Sequence, residues 1–187
     1  MSFQHFIYVA TFAFLLSIQN VLASFIDHPV ESSHWTDKYD RHFKKYSKRY
    51  FGPLFDWHWF KAQAIAESAL NKDAKSHVGA RGLMQIMPDT FKDISKKNPH
   101  FSKLESPKWN IAAGIYYNRS IYRKIKNSPA QDKLYLTFAS YNAGYGRILN
   151  ASKRTGKKEK DWNEIKKYLP KETRGYVRRI RKLMGDS

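Results

Sequence analysis

The sequence predicts a mostly α-helical fold in one domain, and three observations carry that prediction. No alternating Val, Ile or Thr run of strand length occurs after Ser24. Apolar residues recur instead at spacings of three and four, the period of a helix face. The chain has 187 residues, 42% hydrophobic and 16% aromatic. That is enough for one proper core, too little for two, and unlike the composition of a disordered chain.

The first 23 residues contain no Lys, Arg, Asp or Glu, and residues 6–18 form an apolar run of 13. This is the size of a signal-peptide core and too short to span a bilayer unaided. Val21 and Ala23 supply a small-residue cleavage site, so a mature chain is expected to start near Ser24. Positive charge before the run comes only from the α-amino group and His5, which keeps an uncleaved N-terminal anchor as the alternative. Either reading places the domain outside the cytoplasm, in the periplasm or cell envelope. Residues 24–50 read as a basic, polar arm with interleaved Tyr and Phe, and the folded domain is expected over 51–187.

Within that domain, Phe51-Gly52-Pro53 breaks the chain and Asp56 stands where it can cap a helix over 57–70, striped by Phe60, Ala64, Ile65, Ser68 and Ala69. Residues 71–81 lack a sustained period and read as a loop. A short helical stretch is expected over 82–86, then a helix opened by Pro88-Asp89-Thr90 and running to 96. Further helices are expected over 109–125, 129–144 and 145–152. A charged loop at 156–160 leads to a short helix marked by Trp162, Ile165, Tyr168 and Leu169, and a last helix covers 170–184.

There is no cysteine, which excludes a disulfide scaffold, a thiolate zinc site, a Cys nucleophile and a lipidated N-terminal Cys. The seven histidines show no HExxH or comparable ligand spacing, so neither a metal nor a cofactor is expected. The net charge is +18, concentrated in residues 38–49 and 153–182. Such a balance favours anionic polymers or surfaces. For an exported chain this means cell wall or envelope, with no specific nucleic acid.

Glu67 is the candidate for chemistry. It ends the apolar run 60–66 and is followed by Ser76, by Gly79-Ala80-Arg81-Gly82 and by the segment 83–88. An apolar wall raises a carboxyl pKa by penalising the charged form, which is how one strong general acid is made. Trp57, Phe60, Ile65, Met84, Met87 and Tyr141 are the residues that could supply the wall. The only other nearby carboxylate, Asp73, reads as a loop-ordering group rather than a second catalytic acid.

Four segments carry a resemblance: AESALNKDAKSHVGARGLMQIMP (66–88), NIAAGIYY (110–117), ASYNAG (139–144) and PKETRGYV (170–177). Together they resemble the soluble lytic transglycosylase (SLT) domain, a lysozyme-like family acting on peptidoglycan. The resemblance spans roughly 57–180. It departs at His77, where a Pro is often found, and at Lys72-Asp73, which replaces a common Asn-Pro turn. It implies a lysozyme-like catalytic domain with a cleft between helices, cleaving the MurNAc–GlcNAc β-1,4 bond with formation of a 1,6-anhydro end. Glu67 would act as acid and then as base. Ser76 and Gln85 would hold the substrate's N-acetyl group, Tyr141 would stand by the reacting centre, and Asn142 would follow it or merely brace its loop. Met87, with Met84, would wall the cleft. Glu172 matches a cleft glutamate, with a salt bridge to Lys171 or Arg174 as the plainer alternative. Tyr116, Tyr117, Tyr145 and Tyr176 are candidates to stack on sugars or to fill the core. A hydrolytic lysozyme on the same fold and a cationic, non-catalytic wall-binding module are the competing readings. The expected partner is the glycan strand, with an anionic envelope surface behind it. The small single-domain form is also similar to transglycosylases that serve envelope-spanning assemblies, and a monomer is expected.

Overall fold

The computed structural model describes residues 33–186. The expected signal or anchor segment, 1–23, lies outside the described residues. Eight α-helices follow in order: α1 Asp40–Phe51, α2 His58–Ser68, α3 Pro88–Lys97, α4 Pro107–Lys124, α5 Ala130–Ala143, α6 Tyr145–Arg154, α7 Trp162–Ile165, continued by a 3-10 turn Lys166–Tyr168, and α8 Lys171–Leu183. Among the described residues the only β pairing is two isolated bridges, Lys75 with Arg81 and Arg81 with Ile86.

Helix α2 is the axis of the domain. Residues Phe60 to Ile65 are all buried, including Lys61 and Gln63. A helix buried on every side must be wrapped by others: α1 lies along one side and α8 along another, while α4 packs on α5, and α5 in turn carries both α6 and α8. Asp56 does take the first amide, with His58 N–H donating to its Oδ1 at 3.0 Å. Pro107 and Pro88 open α4 and α3, where their missing N–H costs no helical bond.

Two expectations change. Part of the segment read as a basic arm is helix α1, packed against α4. Its charged residues mask the stripe Phe43, Tyr46, Ser47, Tyr50, spaced i, i+3, i+4, i+7. Phe43, Tyr46 and Ser47 are buried. Tyr50 meets Tyr116 edge-on at 5.4 Å, and Phe51 lies 4.8 Å from Phe60. The helix expected at 82–86 is instead a tight turn closed by the Arg81–Ile86 bridge. The cause is Asn110 of α4, which is buried. It accepts from Met84 N–H at 2.8 Å and donates to the carbonyls of Arg81 and Leu104, giving the loop backbone the bonds a helix would have supplied. Gly82, at φ 74°, lies so close to Asn110 that an added Cβ would sit 2.5 Å from its Nδ2. Gly114 plays the matching part on α4, where a Cβ would reach within 2.8 Å of the buried Met84 side chain.

Candidate active site

Glu67 sits in the last turn of α2, which is ended by Ala69 and Leu70 in the left-handed conformation at φ 51° and 59°. It is partly exposed, yet its carboxyl is pushed up from 4.5 to about 7. Burial is the main cause. It outweighs the hydrogen bond from Tyr176 and the field of Arg179, both of which favour the carboxylate. A position in the last turn of a helix, at the negative end of its dipole, works in the same direction as burial.

The Tyr176 hydroxyl donates to Glu67 Oε1 at 2.6 Å. Behind it lies a chain of buried amides. Gln63 Nε2 donates to the Tyr176 oxygen at 3.0 Å, and Asn118 Nδ2 donates to Gln63 Oε1 at 2.7 Å and to the Gly114 carbonyl at 3.0 Å. The directions are forced from the far end. A backbone carbonyl only accepts, so Asn118 presents its NH2, which meets the oxygen of Gln63. Gln63 then offers its own NH2 to Tyr176, and the tyrosine proton is left for Glu67. With Oε1 occupied as an acceptor, the acidic proton of Glu67 belongs on Oε2.

Tyr141 comes to the same place from α5. Its hydroxyl donates to the Met84 carbonyl at 2.7 Å, and its ring meets Tyr117 edge-on at 5.3 Å. Burial, and then the neighbouring Glu67 charge, hold its hydroxyl well above the usual tyrosine range. Ser68, next to Glu67, donates to the Leu83 carbonyl at 2.9 Å, so the loop 81–86 is tied to both sides of the carboxyl.

Gln85 is on that loop at φ 43°, with its Nε2 spent on the carbonyls of Ala74 and Gly82. Ser76 is on the preceding turn, where its Oγ accepts from Ala80 N–H at 3.0 Å. Met87 is 40% exposed at the mouth of α3. Asn142 is exposed in the last turn of α5, beside Tyr141. Glu172 is exposed one helical turn before Tyr176, and among the described residues it forms no ion pair with Lys171 or Arg174. Asp73 is exposed and pairs with its neighbour Lys72.

Several expected neighbours lie elsewhere. Trp57 precedes α2, about 15 Å up the helix from Glu67, with Lys44 and Lys61 over its ring. Phe60 belongs to the aromatic cluster with Phe51, Phe55 and Phe138. Tyr176 is a buried partner of the acid rather than a sugar platform. Tyr145 donates to the Lys124 carbonyl, away from the carboxyl. Gln63, Asn118 and Asn110 were not anticipated. Gln63 was visible as a lone amide four residues before Glu67 in an otherwise apolar run, and a polar group on a buried face needs a partner.

A helical domain wound around one buried helix, with a raised carboxyl at its end, is a lysozyme-like architecture. The chain belongs to the transglycosylase SLT domain family, whose model matches residues 43–164. It is similar to the membrane-bound lytic murein transglycosylase F of Vibrio vulnificus YJ016, 32% identical over 169 residues, covering 88% of this chain and 27% of the relative. The protein of the same name from Photobacterium profundum is 31% identical, with 88% and 28% covered. Among solved structures, the 70-kDa soluble lytic transglycosylase of Escherichia coli matches with a TM-score of 0.68 and 30% identity, over 81% of this chain and 24% of its own. An inactive mutant of the lytic transglycosylase Slt of Pseudomonas aeruginosa matches at 0.68 and 28%, over 80% and 24%. The chain thus spans about a quarter of the length of these relatives.

Proposed function

We propose that this chain is an exported lytic transglycosylase that cleaves the MurNAc–GlcNAc β-1,4 bond of peptidoglycan. The observation that carries the reading is Glu67: a carboxyl still half-protonated at about pH 7, with its proton directed to Oε2 by the Tyr176 hydroxyl on Oε1. In the first step the Oε2 proton passes to the glycosidic oxygen as the bond from C1 to that oxygen breaks, and the substrate's acetamido oxygen stabilises C1. In the second step the Glu67 carboxylate takes the proton of the C6 hydroxyl while O6 bonds to C1, closing the 1,6-anhydro ring and restoring the acid. No water is consumed. Ser76 and Gln85 hold the acetamido group. Tyr141 and Asn142 line the reacting centre, Met87 walls the glycan's path, and Glu172 stands at its rim.

The names of the relatives support the wall as substrate and the envelope as setting. The N-terminal apolar run supports export or anchoring, with the folded domain beginning at α1. The surplus of basic residues brings the enzyme to anionic wall, so cleavage of whole sacculi should fall as salt rises while cleavage of short neutral glycans should not.

The test is mass spectrometry of muropeptides released from purified sacculi by the protein and by Glu67→Gln. Anhydro ends that vanish with the substitution are the expected result. Reducing ends would make the protein a hydrolytic lysozyme, and release of nothing by either protein would leave a binding module.

A further inference from the structure

A cavity of about 370 Å³ lies on the flank of α8, bounded by α7 and the turn that follows it. It is lined by Trp162, Lys166, Lys171, Arg174, Gly175, Arg178 and Arg181. The helix divides its work between two sides. Tyr176 reaches Glu67, and Arg179 reaches the Ala66 carbonyl of α2. Lys171, Arg174, Arg178 and Arg181, spaced i, i+3, i+7 and i+10, form a separate stripe along the cavity.

Five cations face this space and only Arg181 is matched by a carboxylate, with two bonds of 3.2 Å to Asp186. Lys166 donates to the neutral Asn163 oxygen, and no ion pair is made by Lys171, Arg174 or Arg178 among the described residues. Gly175 opens the wall between the arginines. Its helix position costs about 1 kcal/mol relative to Ala, yet an added Cβ would meet nothing within 4 Å. Packing therefore does not demand a glycine here, and its missing side chain adds to the space that Arg174 and Arg178 also line.

We propose that this flank docks on an anionic bilayer, with the cavity seating the phosphate of one lipid headgroup. Guanidinium forks suit phosphate oxygens, and clustered Lys and Arg are what anionic leaflets attract. Trp162, the aromatic that lines the cavity, is buried, so the cavity itself offers no exposed stacking platform of the kind single-stranded nucleic acid uses. The chain's apolar run at residues 6–18 points to the same surface.

The test measures binding of the full chain to phosphatidylcholine vesicles with and without phosphatidylglycerol. The ratio of the two affinities removes the contribution of the apolar N-terminus. Gly175→Glu has room for its side chain and should keep the melting temperature while lowering the ratio about fivefold, and Arg178→Glu should lower it about thirtyfold. Gly175→Ala, neutral and small, and Lys48→Glu, the same charge change as Arg178→Glu made at an exposed position of α1, should each stay within about twofold. Equal losses for Lys48→Glu and Arg178→Glu would reduce the site to diffuse charge, and an unchanged ratio for Gly175→Glu would also overturn it. Inorganic phosphate bound by the protein and lost in Gly175→Glu, with vesicle selectivity intact, would assign the cavity to free phosphate and overturn the bilayer.

Discussion

Lys61 and Glu67 stand six residues apart on the same buried helix, and the protein treats them in opposite ways. The ammonium of Lys61, 3% exposed, is met by Asp40 of α1 and by the Thr36 carbonyl, with Trp35 and Trp57 over it. Among the described residues Glu67 receives no cation in contact. It is given a tyrosine hydroxyl, and its charge is suppressed by burial until the proton stays on to about pH 7. A buried charge that holds structure is cancelled by an opposite charge. One that is to do acid chemistry is cancelled by its own proton.

The most severe way to break this contrast is to remove each group's proton chemistry in turn. Glu67→Gln keeps the shape and the Tyr176 contact but can neither give nor take a proton. Its rate of anhydro-muropeptide release should fall by about a thousandfold or more. Lys61→Met should leave the rate per folded molecule within about twofold. A comparable rate loss in Lys61→Met, with its fold intact, would end this division of labour between the two groups.

Lys61→Met should instead cost about 3 kcal/mol in urea unfolding, the low end for breaking a buried ion pair, because Asp40 retains some solvent. Adding Asp40→Asn should return part of that loss, and a double variant as unstable as the sum of the two singles would show that the pair is not coupled.

How much of this was legible depends on which signal each residue left. The helices showed through their apolar period, and Glu67 stood out as the carboxylate closing an apolar run. Helix α1 did not, although Phe43, Tyr46 and Tyr50 carry the period, because Lys and Arg fill the exposed positions between them. The turn at 82–86 was hidden for another reason. Its shape is set by Asn110, more than twenty residues away, through bonds no local pattern encodes. Tyr176 shows the same limit. The sequence offered an aromatic ring, and only the packing of α8 on α2 makes its hydroxyl the partner of an acid 109 positions earlier.

The pH dependence of stability sharpens the contrast without any substrate. The folded protein keeps the Glu67 proton to about pH 7, whereas the unfolded chain releases it near 4.5. Between those values unfolding releases a proton, so the wild-type protein loses stability as pH rises, and the loss is complete above about 7. The move from 4.5 to about 7 corresponds to at most about 3 kcal/mol. Glu67→Gln lacks the titration. Its stability relative to wild type should climb across this window and stay flat outside it, read by chemical denaturation at several pH values. A constant difference from pH 4 to 8 would mean that the acid titrates as an ordinary surface glutamate.

The smallest effect isolates the hydroxyl behind the acid. The Tyr176 bond favours the carboxylate form and so restrains the rise of the Glu67 pKa. Tyr176→Phe removes that restraint and keeps the ring, which is buried among the core residues. The alkaline limb of the rate profile should therefore move to higher pH. The plateau rate should fall roughly tenfold, the scale of one lost hydrogen bond to a charged group, because the hydroxyl that supports the carboxylate left after proton transfer is gone. Gln63→Leu should give a weaker version of both changes, since it leaves the Tyr176 hydroxyl in place but frees its direction. A purely structural tyrosine would lower the melting temperature and the amount of active protein with the limb unmoved. Movement of the limb toward acid would mean that the hydroxyl accepts from Glu67 rather than donating to it, reversing the order of the whole chain from Asn118 outward.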